Sequence, residues 1–79
     1  GAVPISSTLA PTSGWINISP GIWEQTISLP PSITYDSSLI ECREEATKEV
    51  VYCDVVKVTN TTLKIRAIFN DLAIRVYFK

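Results

Sequence analysis

The chain of 79 residues contains no histidine, and this absence excludes several kinds of active site. Without imidazole there can be no Ser-His or Cys-His catalytic pair and no zinc site with histidine ligands. The two cysteines cannot complete a structural zinc site alone, and they do not form a Cys-x-x-Cys redox motif. An enzyme would have to rely on carboxylates, lysine or tyrosine, so we expect no enzyme, no metal site and no cofactor.

Two further features are missing from the sequence. It has no apolar run approaching the roughly 18 residues that predict a membrane-spanning helix. Its 7 basic and 8 acidic residues are scattered along the chain without a basic stripe. We therefore expect neither membrane insertion nor nucleic-acid binding. With 46% apolar residues the chain is globular, but it is short enough that a crosslink or an oligomer would help to stabilise it.

The sequence pattern predicts an almost entirely β protein. Residues 1–14 are rich in Ser, Thr and Pro without periodicity, so we interpret them as an N-terminal arm or linker, with a single β domain over 15–79. Short strands are expected over 15–19 and 22–29, on either side of a Pro-Gly turn. The expected fold is a small antiparallel β-sandwich or meander of about six strands.

The middle of the chain permits two interpretations. We favour strands over 38–44 and 49–58 joined by a polar turn at 45–48, because the second segment is rich in valine. The alternative is an α+β fold with one helix over 38–48, where apolar residues recur at helical spacing. In the two-strand version Cys42 and Cys53 face each other, either as a disulfide or as two buried thiols. A disulfide would indicate an oxidising environment.

Alternating residues near the C-terminus predict a closing hairpin. Strands over 63–69 and 72–78 joined at Asn70-Asp71 would pair apolar residues throughout and would set Arg66 opposite Arg75. A three-residue turn at 59–61 would place Asp54 opposite Arg66 and relieve this repulsion. Together with two nearby tyrosines, these residues form the candidate ligand-binding set: Tyr52, Asp54, Arg66, Arg75 and Tyr77. The alternative interpretation is charge compensation on a solvated face, or a salt bridge at a subunit contact.

Three stretches carry a resemblance to a known family. The segments QTISLPPSITY (25–35), VVKVTNTTLKIRAIF (55–69) and AIRVYFK (73–79) are similar to the H-type lectin fold, although the tryptophan motif that usually closes that fold is absent. The resemblance implies a six-stranded sandwich that assembles as a trimer and binds sugars near subunit contacts. It carries no individual sugar-binding residue over to this chain.

Three functions remain open at this point. The first hypothesis is a head domain that binds a carbohydrate or cell-surface receptor, within a viral or phage attachment protein such as a tail fibre or baseplate protein, on a virion surface or outside the cell. The second is a structural oligomerisation module of a larger assembly. The third is a small secreted protein-binding domain held by the Cys42–Cys53 crosslink.

Overall fold

The computed structural model describes residues 6–79, and these form an all-β protein. No α-helix occurs within this range, and two short 3-10 turns lie at Thr12–Gly14 and Tyr35–Ser37. The strands are β1 (Ser6–Ala10), β2 (Ile16–Ser19), β3 (Ile22–Ser28), β4 (Ile40–Glu44), β5 (Asp54–Thr59), β6 (Thr62–Ala67) and β7 (Ile74–Phe78). The predicted all-β class is confirmed, and the alternative helix over 38–48 is wrong.

The strands form two antiparallel sheets that pack face to face. One sheet has the order β1-β7-β4 and the other has the order β2-β3-β6-β5. Alternate residues of β3, β6 and β7 point into the space between the sheets, as period-two patterning requires. The largest side chains that are completely buried there come from β6 and β7: Leu63, Ile65, Ile74 and Val76. The predicted sandwich is therefore confirmed, with its core between a three-stranded and a four-stranded sheet.

The predicted closing hairpin is wrong, because β6 and β7 lie in different sheets. β6 is hydrogen-bonded to β3 on one side and β5 on the other, so it has no free edge for β7. The apolar faces of β6 and β7 still meet in the core, but they do so across the sandwich. Alternation identifies the buried face of a strand without identifying its lateral neighbour. The separation also removes the expected Arg66–Arg75 repulsion.

The segment predicted as an arm contains an edge strand. β1 pairs with β7 over its whole length, from Ser6 opposite Phe78 to Ala10 opposite Ile74. Only Ala10 of this strand is completely buried, which explains why the sequence shows no apolar alternation there. A polar edge strand needs only its backbone groups to join a sheet. The predicted domain boundary at residue 15 therefore separates β1 from the sheet to which it belongs. Residues 1–5 of the predicted arm lie outside the described residues.

The predicted turn at 45–48 is present, but the strands around it separate. Glu44 and Glu49 are joined by a backbone hydrogen bond of 2.9 Å, and Lys48 adopts a left-handed φ of 64°. The returning chain stays beside β4 only as far as Val51, whose amide donates to the carbonyl of Cys42 at 3.0 Å. It then crosses to the other sheet, where β5 begins at Asp54. The two strands therefore do not form the hairpin that the sequence predicted.

The register between β5 and β6 agrees with the prediction. Asp54 lies opposite Arg66, and Val55 lies opposite Ile65. The connecting turn is shorter than expected, because Thr59 pairs with Thr62 after a register shift at Val58. This bulge allows a two-residue turn and still keeps Asp54 on the outer face.

Candidate functional site

A groove of about 400 Å³ opens at one end of the four-stranded sheet. Three parts of the chain form it: the start of β3, the crossing segment 51–54, and the end of β6 with the connection that follows. Its lining is mainly apolar: Ile22, Val51, Tyr52, Asp54, Arg66, Ala67, Ile68, Phe69 and Leu72. Ligand pockets commonly combine such an apolar lining with a few polar groups, and their volumes run from about 300 to 1,000 Å³.

Trp15 supports the connection that closes the groove. Its indole Nε1 donates to the carbonyl of Leu72 at 2.8 Å. Its ring meets Phe69 edge to face, with ring centroids 5.7 Å apart. Both neighbours line the groove, so Trp15 holds in place the chain that crosses from one sheet to the other. Such a bond satisfies the only polar atom of a half-buried indole.

Tyr52 and Asp54 form one side of a polar edge along the groove. The Tyr52 hydroxyl donates to Oδ1 of Asp54 at 2.7 Å, and this bond raises the pKa of the tyrosine because the neutral hydroxyl is the donor. The tyrosine side chain is otherwise open to solvent, with 83% of its surface exposed. The ring is therefore held near Asp54 while it remains available to a ligand.

Arg66 completes the polar edge and takes its carboxylate partner from β3. Its Nε donates to Oε2 of Glu24 at 2.6 Å, and this bond lowers the pKa of Glu24. Glu24 also lies 3.5 Å from the Lys64 ammonium. Within residues 6–79 no ion pair joins Asp54 to Arg66, although they are cross-strand neighbours. Glu24 thus takes the place beside Arg66 that we expected Asp54 to take. Within the same range, the second carboxylate oxygen of Asp54 and the Nη groups of Arg66 make no hydrogen bond.

Arg75 and Tyr77 lie on the outer face of the other sheet, away from the groove. Arg75 donates to both carboxylate oxygens of Glu45, at 2.8 and 3.2 Å. This pairing, followed by the Lys48 ammonium, lowers the pKa of Glu45 to about 2. The five predicted site residues therefore separate into a groove group of three and a distant pair of two, because the hairpin that would have joined them does not form.

The structure adds apolar groove residues that the sequence prediction missed. The sequence did contain one signal for them, because the apolar Ile68 continues the outward positions of Lys64 and Arg66. In the structure its side chain is 78% exposed. Phe69 and Leu72 carried no such signal, because they were assigned to paired positions of a hairpin. Their place in the groove depends on the crossing between sheets, which local alternation does not specify.

Cys42 and Cys53 lie next to this site as buried free thiols. The neighbouring Cys42 side chain, together with burial, raises the pKa of Cys53. Cys53 also lies between two residues of the groove wall, Tyr52 and Asp54.

Residues 6–79 contain no group of three or more Cys, Asp or Glu side chains placed to hold a metal ion. No helix in the same range has the length and apolarity needed to cross a membrane.

Comparison with known proteins identifies no relative. No protein-family model matches the chain, and neither the curated proteins nor the solved structures give a significant match. The similarity to H-type lectins therefore stays a prediction from the sequence.

Proposed function

We propose that this domain is a non-catalytic carbohydrate-binding module and that the groove is its ligand site. The observation that carries the proposal is the pairing of an apolar floor with an exposed tyrosine ring, a carboxylate and a guanidinium. Sugars present apolar C–H faces together with hydroxyl groups, so they suit this mixture of surfaces. The Tyr52 ring offers a face for stacking, while Asp54 accepts and Arg66 donates hydrogen bonds.

The charges around the groove favour an uncharged sugar. Cross-strand registers place Ile16, Glu24, Arg66 and Asp54 in one row across the sheet. Lys64 lies beside this row and contacts Glu24. The two acidic and two basic side chains balance each other, so the site has no net charge to attract an ionic ligand. Proposed partners are therefore neutral glycans of a cell-surface receptor.

The setting proposed for this activity is a receptor-binding head domain of a viral or phage attachment protein, outside the cell or on a virion surface. Its support is the sequence resemblance to H-type lectins. The open groove adds to this support, since a receptor-binding site has to accept a glycan that remains attached to a larger surface.

A glycan array followed by calorimetric titration of the bound glycan tests the proposal. Asp54→Asn keeps the size of the side chain and removes its charge, and we expect at least a tenfold loss of affinity, about 1.4 kcal/mol, because hydrogen bonds to charged groups contribute about 1.5–3 kcal/mol. Tyr52→Ala should lose affinity as well, through the missing ring.

The matched control is Tyr77→Ala, which removes a tyrosine from the outer face of the other sheet. Its affinity should equal that of the unmodified protein. Failure of every glycan to bind, or equal loss in the Tyr77 variant, would refute the assignment of the groove as a sugar site.

A second candidate is self-association through the same outer face. Ile68 and Ile16 are 78% and 67% exposed, and both lie on the four-stranded sheet or directly beside its end. Ile16 lies in the cross-strand row that ends at Arg66 and Asp54, and Ile68 follows Arg66 by two residues, so exposed apolar side chains flank the polar edge of the groove on two sides. Self-association would also add buried surface to a domain whose own core is small.

Light scattering tests this candidate. Ile68→Lys should dissociate an oligomer into monomers, whereas Leu39→Lys, at an equally exposed position of 75%, should leave its mass unchanged. A monomeric unmodified protein would rule the oligomer out.

A further inference from the structure

The two cysteines lie in parts of the sandwich that few backbone hydrogen bonds join, one in each sheet or directly beside it. Cys42 lies in β4 of the three-stranded sheet, and Cys53 directly precedes β5 of the four-stranded sheet. Both side chains are buried, with 6% and 9% of their surface exposed, and both belong to the common core. The hydrogen bond from the Val51 amide to the Cys42 carbonyl, 3.0 Å long, holds the chain that carries Cys53 beside Cys42 at the point where it changes sheets.

The same segment forms one wall of the groove. Val51, Tyr52 and Asp54 all line it, and residues 51–53 belong to no strand. Within the described residues, an isolated bridge between Arg43 and Val50 attaches this segment to β4, and the bond from the Val51 amide to the Cys42 carbonyl is one of its two hydrogen bonds. Asp54 is held by the pairing of β5 with β6, so the position of Tyr52 and Cys53 between the two attachments depends on the burial of the Cys53 side chain and on the Tyr52–Asp54 hydrogen bond.

We propose that Cys42 and Cys53 form a reversible disulfide that fixes this wall of the groove to the opposite sheet. The proposal extends the proposed function, since immobilising Tyr52 and Asp54 would organise the groove before a glycan arrives. Residues 43–52 form the loop that the bond closes. In the reduced protein the same wall retains only its hydrogen bonds and packing.

Thiol–disulfide exchange with a low-molecular-weight disulfide, such as oxidised glutathione, supplies the oxidation. The Cys42 thiolate attacks one sulfur of the reagent, forms a mixed disulfide and releases one reagent thiolate. The Cys53 thiolate then attacks the Cys42 sulfur and releases the second. Overall, the two protein thiols lose two protons and two electrons, and the reagent disulfide is reduced to two thiols.

The environment of the pair indicates which sulfur reacts first. The neighbouring Cys53 side chain lowers the pKa of Cys42, which favours the Cys42 thiolate as the initial nucleophile. Burial of both sulfurs requires the 50–53 segment to open before the reagent can enter. Once the bond has formed, that opening should be suppressed.

The test is hydrogen exchange on the free protein before and after treatment with oxidised glutathione. Trypsin cleavage at Arg43 and Lys48 separates the two cysteines, so the disulfide appears as one crosslinked pair of peptides. We expect this crosslink within single chains, and we expect amide exchange at Tyr52, Cys53 and Asp54 to slow several-fold. Reduction should restore the original rates.

Cys53→Ala is the control, since it keeps a small side chain and cannot form the bond. Its exchange rates should not respond to the oxidant, and Cys42→Ala serves the same purpose if the first variant does not fold. Free thiols that persist through oxidation, crosslinks only between chains, or unchanged exchange after crosslinking would each overturn the proposal. Because mass and exchange are measured without a ligand, a failed glycan array would refute the proposed function and leave this result standing.

Discussion

Replacing Ala10 by leucine tests whether the N-terminal segment is part of the sandwich. Ala10 is completely buried and lies opposite Ile74, itself completely buried. A leucine there must fit its additional carbon atoms into a filled core, and such overpacking costs about 1–3 kcal/mol. A domain of this length is stable by roughly 4–12 kcal/mol, so the variant should fold with a measurable loss.

Urea unfolding followed by tryptophan fluorescence measures this loss. With a dependence on urea of about 1 kcal/mol per molar, the expected destabilisation lowers the midpoint by roughly 1–3 M. Leu9→Ala is the matched control, because Leu9 is the adjacent residue, is 40% exposed and points to the opposite face. It should change the stability by no more than about 0.5 kcal/mol. Equal midpoints for Ala10→Leu and the unmodified protein would mean that residues 6–10 do not occupy the edge of the sheet.

Two further predictions concern the ion pair on the three-stranded sheet and the support of the groove. The pKa of Glu45 falls from its ordinary 4.5 to about 2 through Arg75, so its stabilising effect is complete above pH 4.5 and is lost as the pH falls towards 2. Glu45→Gln should flatten this part of a curve of unfolding midpoint against pH, and an unchanged curve would argue against the pair. Trp15→Phe removes the donor to the Leu72 carbonyl and should cost about 1 kcal/mol in urea unfolding. The amide signals of residues 69–72 should shift in the same variant, and their constancy would show that Trp15 does not hold the groove.

Much of the fold was predictable because it depends on local patterns. The strand expected over 22–29 is β3, in which buried Gln25 and Ile27 alternate with exposed Thr26 and Ser28. Pro20-Gly21 correctly marked the turn before β3, where Gly21 has a φ of 74° that favours glycine. The charge argument for Asp54 opposite Arg66 also gave the right register. Each of these inferences concerns neighbours in sequence or the choice between two faces of one strand.

The pairing of strands that are distant in the sequence was harder to predict. The predicted C-terminal hairpin would bury the apolar faces of β6 and β7 as neighbouring strands of one sheet. The sandwich buries the same faces by stacking β6 and β7 in opposite sheets. Hydrophobic burial has no direction, so it does not favour one arrangement over the other. The decisive interactions lie outside both strands, in β3 and β5 on either side of β6 and in β1 beside β7.

The composition of the groove follows from that choice of arrangement. In a hairpin Phe69 and Leu72 would face each other at the turn, whereas in the sandwich they lie on a crossing chain held by Trp15. The hairpin would also have made Arg66 and Arg75 neighbours, with one carboxylate between them. The structure instead gives each arginine its own carboxylate, Glu24 and Glu45, on separate sheets. Arg75 nevertheless lies opposite another arginine, Arg43 of β4, so a pair of like charges does not by itself decide whether two strands share a sheet. The placement of β6 and β7 in different sheets is what brings Tyr52, Asp54 and Arg66 to the groove without Arg75.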